Sequence, residues 1–498
     1  MRTRIYALIT FIVLQPLLLC AKDYPASLFG IRSDGTALYT RSIQFAIDYI
    51  NKEGGGRLVF DVGRYLTGSI HLKSNVTLHL AEGAVLVGST NPFDYDKKLA
   101  TALIFAYDQH DIAITGKGII DGQGRALAAN VTENIHKGLL KDLFRNDRPE
   151  ADNRAMIINF RNSKNILIRG VTIRNAASWV QTYDQCINLR LDSLFVDSRA
   201  FWNNDGIDIV DCDSVAVTNS YIDAADDGVC LKSHDAGKFC NNILVRNCTI
   251  RSSATGIKFG TASYGGFRNV RLINNKVFDT YRSAVALEAV DGGFLENVTV
   301  DSLQSLHTWN AVFLRIGERV AGKKGRLEHI QVRNVYAEVP AGKPDAGYEY
   351  EGPIEDMPRN LTPAIVIAGM PDVPVSDVLL ENIVIKFAGG GNAMFASVTP
   401  DALEKVPEKA AAYPDFSMFG ELPAWGVYIR HAKKLECRNL RLHCEKRDYR
   451  IAIVLDDVHQ AQFVSTTITE AGQGTSPGQA GRQKKDFYTA RSSEVINR

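Results

Sequence analysis

One phrase recurs along the chain and restricts the fold more than any other feature. It consists of a β-branched strand, a small polar residue and a second short strand, as in NILIRGVTI, SVAVTNSYI, NILVRNCTI and NVRLINNKV. The residues at the bend lie 23, 26, 28 and 27 positions apart: Gly170, Ser193, Asn219, Asn247 and Asn274. This period is too short for a propeller blade and lacks a Leu-rich signature. It predicts one coil of a right-handed parallel β-helix per repeat, an all-β solenoid whose stacked strands lie about 4.8 Å apart.

The segment from Thr40 to Asn51 is the one clear amphipathic helix near the front. Its apolar residues recur at the spacing of one helical face, and the glycines from Gly54 to Gly56 end it. Short strands follow, so we expect this helix to cap the end of the solenoid. Because each coil contacts only its neighbours, residues 22–470 are predicted to form a single catalytic domain. Residues 471–498 are rich in Gly, Gln, Ser and Lys and are predicted to be a flexible tail.

Residues 1–21 are typical of a secretory signal peptide. Arg2 and Arg4 form the charged start, and the stretch from Ile5 to Leu19 is apolar but interrupted by a Gln-Pro pair, which disfavours a membrane span. We therefore expect a periplasmic or secreted protein. Lipidation at Cys20 is the alternative fate of this segment.

The charge balance and the cysteine pattern exclude several partners. The 57 basic and 56 acidic side chains give a formal charge of +1, so we expect no nucleic-acid partner. The cysteines after the signal form no C-x-x-C pair, which disfavours a zinc site. We expect no metal, no cofactor and a monomer.

The stretch between Trp202 and Ser233 places Asp205, Asp208, Asp226 and Asp227 close together in otherwise apolar, strand-like sequence. The repeat register places Gly206, Gly228, Gly256 and Ala284 at equivalent positions. The residues that precede them are Asp205, Asp227, Thr255 and Ser283. Asp205 and Asp227 are thus expected one coil apart, about 5 Å, and Asp226 is expected to stack on Asn204.

Such close carboxyl groups suit acid/base chemistry, because like charges raise one pKa and keep one acid protonated. An acid beside a base is what glycosidic bond hydrolysis requires. Two other interpretations stay open. Asp side chains cap turns in β-helices, which is our reading of Asp208, and an oxygen-rich cluster also suits calcium.

At these residues the chain resembles glycoside hydrolase family 28, the polygalacturonase family. NNDGIDI and DDGVCLKS match its two acidic motifs, and YPDFSMFGELPAWGVYIRHA is typical of its bacterial members. The resemblance implies a parallel β-helix, inverting hydrolysis and a pectic substrate. It also implies that Asp226 is the general acid and that Asp205 and Asp227 activate the water.

Two departures from the family bear on the substrate. The GHG motif falls on Ala254-Thr255-Gly256, and the RIK motif falls on Ala286-Leu287-Glu288, so the expected histidine and basic pair are absent. Lys258 either compensates for the missing basic pair or forms a local charge network. We favour the network. The remaining candidates for a relocated carboxylate site are Arg282, Arg315 and Arg319.

The predicted substrate-binding residues are Asn204, Lys258, Trp179, Tyr264, Arg282 and Glu288. The sequence therefore predicts a pectic glycosidase that differs from ordinary polygalacturonase and acts on a rhamnogalacturonan-type or unusual terminal sugar. The alternatives are a pectic lyase on the same fold and a non-catalytic carbohydrate-binding β-helix.

Overall fold

The computed structural model describes residues 22–98, 101–145, 148–344, 362–471 and 486–498. The predicted signal peptide and Cys20 lie outside these ranges. The helices are α1 (Thr40–Lys52) and α2 (Gly124–His136). The shorter strands of the first half are β1 (Asp23–Pro25), β2 (Asp34–Leu38), β3 (Gly56–Phe60), β4 (Gly63–Thr67), β5 (Ile70–His71), β6 (Val76–Leu80), β7 (Ala84–Gly88), β8 (Ala102–Tyr107), β9 (His110–Gly116), β10 (Ile119–Asp121), β11 (Met156–Arg161), β12 (Lys164–Arg169), β13 (Thr172–Arg174), β14 (Gln181–Asp184), β15 (Ile187–Asp192), β16 (Phe195–Ser198), β17 (Ile207–Val210), β18 (Asp213–Thr218), β19 (Tyr221–Ala224), β20 (Val229–Ser233), β21 (Cys240–Arg246), β22 (Thr249–Ser252), β23 (Ile257–Ser263) and β24 (Gly266–Ile273).

Several strands of the second half run through the corners of the coil and are longer. They are β25 (Lys276–Ala289), β26 (Phe294–Ile316), β27 (Arg326–Val339), β28 (Ile365–Ala368), β29 (Val375–Phe387), β30 (Ala424–Cys444), β31 (Ile451–Val464), β32 (Thr467–Glu470), β33 (Phe487–Ala490) and β34 (Ser493–Asn497).

The strands stack in columns that run along the molecule, and the named strands of the described residues pair in parallel. One column, here called the site sheet, runs through β5, β8, β11, β14, β17, β20 and β23, and continues through parts of β25, β26, β28, β30, β31 and β33. A second column contains β12, β15, β18 and β21, and a third contains β13, β16, β19 and β22. The prediction of a right-handed parallel β-helix is confirmed.

Apolar side chains that stack in register from coil to coil fill the interior. A representative stack consists of Ile168, Leu191, Val217, Val245 and Leu272, which are partners in register and are buried. Along β15, β18 and β21 of this column, buried residues alternate with residues that are exposed or half-buried. The repeat in the sequence is therefore the repeat of this stack.

The bend between the second and third columns is made by residues in the left-handed backbone region. Asn219, Asn247 and Asn274 have φ of 52°, 55° and 53°. Asparagine tolerates this conformation, and its amide also bonds along the stack. The Nδ2 of Asn274 donates to Oδ1 of Asn247 at 2.9 Å, and that of Asn247 donates to Asn219 at 3.1 Å. Three of the five predicted bend residues thus form a hydrogen-bonded ladder.

Helix α1 confirms the predicted cap. Its buried residues Ile43, Ala46, Ile47 and Ile50 face the first coils, while Phe45 on the opposite face is 63% exposed.

Among the described residues, no helix combines the length and the apolar character that a bilayer crossing requires. The seven described cysteines are buried and carry free thiols.

The predicted flexible tail differs from the structure in its last part. Residues 472–485 lie outside the described ranges. β33 pairs with β31 through Phe487 and Ile453, and β34 pairs with it through Val495 and Ala461. The sequence prediction was wrong for this part because few apolar residues are needed when the last coil already offers a strand edge.

Candidate active site

The predicted stacking of Asp205 and Asp227 is found just before β17 and β20, two neighbouring strands of the site sheet. The amide of Gly206 donates to the carbonyl of Asp227 at 2.9 Å, and that of Gly228 donates to Thr255 at 2.8 Å. A Cβ on Gly206 would lie 2.6 Å from the carbonyl oxygen of Gly228, so the glycine permits the close approach of the coils. The carboxyl groups of Asp205 and Asp227 each place an oxygen within 4.8 Å of the other.

Lys232 binds the first of these carboxylates. Its Nζ lies 2.9 Å from Oδ2 of Asp205 and also donates to Oδ1 of Asp208, which is fully buried. The same ammonium lies 4.1 Å from the ring centroid of Trp179, a cation–π contact that fixes the indole beside the acids. Burial raises the pKa of Asp208 to about 6, and burial raises the pKa of Asp205 well above its ordinary value although Lys232 opposes both shifts.

Lys258 binds the second carboxylate. Its Nζ lies 3.1 Å from Oδ2 of Asp227, and the amide of Thr255 donates to Oδ1 at 3.1 Å. Burial alone would raise the pKa of Asp227, but the positive charges of Lys258 and Arg282 hold that pKa below its ordinary value. Asp227 is therefore the carboxylate of the cluster that the surrounding charges keep ionised.

Asp226 has the opposite electrostatic environment. Its carboxyl is half-buried, and Oδ1 accepts the amide of Asp227 at 2.9 Å. Burial and the negative charge of Asp227 raise the pKa of Asp226, against the cations nearby. Neighbouring carboxyl groups whose pKa values move apart define an acid and a base.

Glu288 is a further buried acid in the next coil. It is 1% exposed, and its Oε2 has no hydrogen-bond partner among the described residues. Burial raises the pKa of Glu288 to about 8, with Lys258 opposing the shift. Burial thus favours the neutral form of Glu288, at a position where the resemblance implies a basic residue.

Two residues of the site come from the segment between β29 and β30 and were missed by the sequence analysis. We call a segment of this kind, which leaves the repeating coils, an excursion. Lys258 Nζ donates to the hydroxyl of Tyr413 at 2.7 Å, and Arg282 Nε lies 3.3 Å from Oδ2 of Asp415. Both belong to the YPDF segment, which the sequence analysis noted only as typical of the family. Its place beside the acids depends on how the excursion folds back over the coils.

The predicted binding residues have different surroundings. Trp179, Lys258, Arg282 and Glu288 surround the carboxyl cluster, as described above. Tyr264 is 38% exposed in the loop after β23, and its backbone amide donates to Ser233 at 3.0 Å, so its role stays a prediction.

The position of Asn204 favours a structural role over the predicted role in substrate binding. The side chain is fully buried. Its Oδ1 accepts from Ser198 and from the amides of Ala200 and Phe201, and its Nδ2 donates to the carbonyls of Ala176 and Ser178. Asn204 therefore holds the turn that presents Asp205.

The other arginines proposed for a carboxylate site are engaged elsewhere. Arg315 is 1% exposed and donates to the carbonyls of Gly369 and Glu408 at 3.1 and 2.7 Å. Arg319 lies 3.0 Å from Asp291. Neither residue contacts the carboxyl cluster in the described hydrogen bonds and ion pairs.

A cation site at the cluster fits poorly. Asp205, Asp227 and Cys230 each offer an atom within 4.8 Å of the others. Burial raises the pKa of the Cys230 thiol well above its ordinary value, and the thiol donates to the carbonyl of Gly260 at 3.0 Å. A lysine ammonium group already lies against each of the two aspartates, 2.9 Å from Asp205 and 3.1 Å from Asp227. These residues are therefore not arranged as ligands of a divalent ion.

The fold and the site define the class: a parallel β-helix that carries an acid/base cluster of carboxyl groups on one sheet. The model of the family described as "Glycosyl hydrolases family 28" matches residues 60–283, which include all three predicted catalytic aspartates. Over these residues the chain is similar to this family.

The relatives agree with this assignment. The exo-poly-alpha-D-galacturonosidase of Dickeya chrysanthemi is 28% identical over 315 residues, which cover 53% of this chain and 52% of the relative. The chain thus spans about half the length of that enzyme. A probable polygalacturonase of Vitis vinifera is 24% identical over 453 residues, 82% of this chain and 85% of the relative. The family 28 exopolygalacturonase of Yersinia enterocolitica shares the fold, with a TM-score of 0.62 and 19% identity over 96% of this chain and 78% of that one.

Proposed function

We propose that the protein is an inverting glycosidase that cleaves a pectic polysaccharide or oligosaccharide next to a neutral sugar. The observation that carries this proposal is the pair of opposed environments at adjacent residues, in which Asp226 has a raised pKa and Asp227 a lowered one. Asp205 lies beside Asp227 with carboxyl oxygens within 4.8 Å, which is room for a shared water.

In the proposed reaction Asp226 gives its proton to the glycosidic oxygen as the bond to the anomeric carbon breaks. A water held between Asp205 and Asp227 attacks that carbon from the opposite face. Asp227 accepts the proton of the water, and Lys258 stabilises its charge until then. A single displacement of this kind inverts the anomeric configuration.

The charges near the acids support a neutral sugar at the cleaved bond. Lys232 binds Asp205 and Asp208, Lys258 binds Asp227, and Arg282 binds Asp415. Each of these cations already has a carboxylate partner, so a substrate carboxylate would have to displace one. A rhamnogalacturonan-type substrate or an unusual terminal sugar fits this site better than polygalacturonate, while the names of the relatives support a pectic chain.

A lyase is disfavoured by the same ion pairs. A lyase needs a base that removes a proton beside a carboxylate. Burial lowers the pKa of Lys258, but Asp227 and neighbouring groups outweigh it and hold that pKa well above its ordinary value. The pKa of Lys232 is likewise raised by Asp205 and Asp208 against the effect of burial. Both amines therefore stay protonated and cannot accept a proton.

The test is a panel of pectic oligosaccharides that includes rhamnogalacturonan fragments. Release of reducing ends without unsaturated products supports hydrolysis, and unsaturated products refute it in favour of the lyase. NMR of the first anomer released tests inversion.

We also propose that the protein is a monomer and that it is periplasmic or secreted, or lipid-anchored through Cys20. Fractionation and mass spectrometry of the purified protein test this.

A further inference from the structure

The ring of Tyr413 covers two cations of the site. Its centroid lies 5.0 Å from Nζ of Lys258 and 5.7 Å from the guanidinium carbon of Arg282. Lys258 and Arg282 are 2% and 4% exposed, whereas Tyr413 is 50% exposed. At this point the molecule thus presents an aromatic ring to solvent and holds the positive charges beneath it.

Acids balance the charges beneath the ring. Asp415, two residues after Tyr413, is 5% exposed and lies 3.3 Å from Arg282. Lys258 bonds the Tyr413 hydroxyl at 2.7 Å and Asp227 at 3.1 Å, so one ammonium group separates the phenol oxygen from the proposed base. The same short segment supplies both the cover and the counter-charge.

We propose that Tyr413 and Asp415 determine the substrate specificity of the site: Tyr413 stacks on the face of a neutral pyranose, and Asp415 cancels the charge that would otherwise attract a uronate. This inference rests on the proposed function, and it assigns the preference for that substrate class to particular residues. An exposed ring that is pinned by a hydrogen bond loses little conformational freedom on binding, which makes it a suitable platform for the apolar face of a sugar.

The experiment compares binding and turnover of two probes of equal length, a pectic oligosaccharide that ends in rhamnose and one that ends in galacturonate. Binding is measured by titration calorimetry in the Asp226→Asn background, and turnover is measured in the otherwise wild-type chain. The variants are Tyr413→Ala, Tyr413→Phe and Asp415→Asn. The matched control is Tyr449→Ala, because Tyr449 is 47% exposed and its ring also contacts an arginine, with the guanidinium carbon of Arg447 4.9 Å from the ring centroid.

We expect Tyr413→Ala to weaken binding of the rhamnose-ended probe about tenfold, a loss typical of one aromatic contact. Tyr413→Phe keeps the ring and should stay within about twofold of the parent. Asp415→Asn should raise the preference for the galacturonate-ended probe about tenfold, since it unmasks Arg282. Tyr449→Ala should change neither probe.

Unchanged affinity of both probes in Tyr413→Ala, with an unchanged unfolding temperature, overturns the proposal, and so does failure of both probes to bind the parent. A loss in Tyr413→Phe equal to that in Tyr413→Ala also overturns it, because the hydroxyl rather than the ring would then matter. Should Asp415→Asn fail to fold, the exposed Tyr413 variants decide alone. Probe binding that depends on Tyr413 in a chain without hydrolytic activity would support this inference and refute the proposed function.

Discussion

The substitution Lys258→Met tests whether the ion pair with Lys258 keeps Asp227, the proposed base, ionised. Methionine fills a similar volume but removes the charge. The side chains of Lys258 and Asp227 are 2% and 6% exposed, so solvent screens them little. At an effective dielectric constant of about 20, unit charges at their separation of 3.1 Å attract by about 5 kcal/mol. Removal of one member of a buried pair typically costs about 3–5 kcal/mol.

The effect on stability has a definite sign with pH. The pKa of Asp227 lies below its ordinary 3.8 in the folded protein, so the ion pair stabilises the fold above about pH 4 and loses this effect as the pH falls through the folded-state pKa. Without Lys258, burial of the carboxylate dominates and raises its pKa. The deficit in unfolding temperature of the variant should therefore grow from pH 3 to pH 6.

The assay measures unfolding temperature and kcat/KM across that range for the wild type, Lys258→Met and the control Lys276→Met, whose side chain is exposed. We expect kcat/KM of Lys258→Met to fall about 10²-fold near pH 5 and its acidic limb to move to higher pH, because a general base contributes at least that much. A uniform loss of activity with an unmoved limb would refute the assignment of Asp227 as the base that Lys258 holds ionised.

Further predictions concern individual groups of the site. Asp226→Asn should lower kcat by about 10²–10⁴-fold with little change in unfolding temperature, and full activity would refute its role as the acid. Glu288→Gln should remove a loss of stability that the wild type shows as the pH rises from about 5 to 9, because the folded pKa of about 8 exceeds the ordinary 4.5 and ionisation of a buried acid is unfavourable; parallel pH profiles of unfolding temperature would contradict this. Asn204→Ala should destabilise the protein by about 1–3 kcal/mol and lower kcat more than it raises KM, and a selective rise in KM would restore its binding role. Dialysis against EDTA should leave activity unchanged, and recovery by added calcium after a loss would show that the carboxylates bind an ion.

The repeat made the architecture predictable from the sequence. In a solenoid each coil contacts only the coils beside it, so a local period fixes the long-range stacking. That period alone stacks Asp205 on Asp227. It also places Asp208, Cys230 and Lys258, each two residues after a glycine of the register, in a second column, and the structure reproduces both columns. The sequence register therefore carried real three-dimensional information about the carboxyl cluster.

The register failed where side chains leave their own coil. Asn204 lies in the column of Asp226, yet its side chain turns inward and bonds the turn, because column position does not fix the rotamer. Lys232 and Glu288 share a column, because each lies four residues after the register positions Gly228 and Ala284. The long side chain of Lys232 nevertheless reaches back to Asp205 and Asp208 in the preceding coil. Stacking predicts which backbone segments are neighbours. A long charged side chain can also form ion pairs with groups on an adjacent coil, which stacking does not predict.

The excursions are beyond the repeat altogether, and they bear most directly on the substrate. Tyr413 lies 155 residues from Lys258 in sequence, and no period relates the two. The coils supply the acids, so the chemistry follows from the repeat. The cover over the cations comes from a segment that folds back from outside it. A change in that segment can thus alter the charge seen by a sugar while Asp205, Asp226 and Asp227 remain in place. A β-helix of this kind can therefore keep one reaction and change its substrate through its excursions.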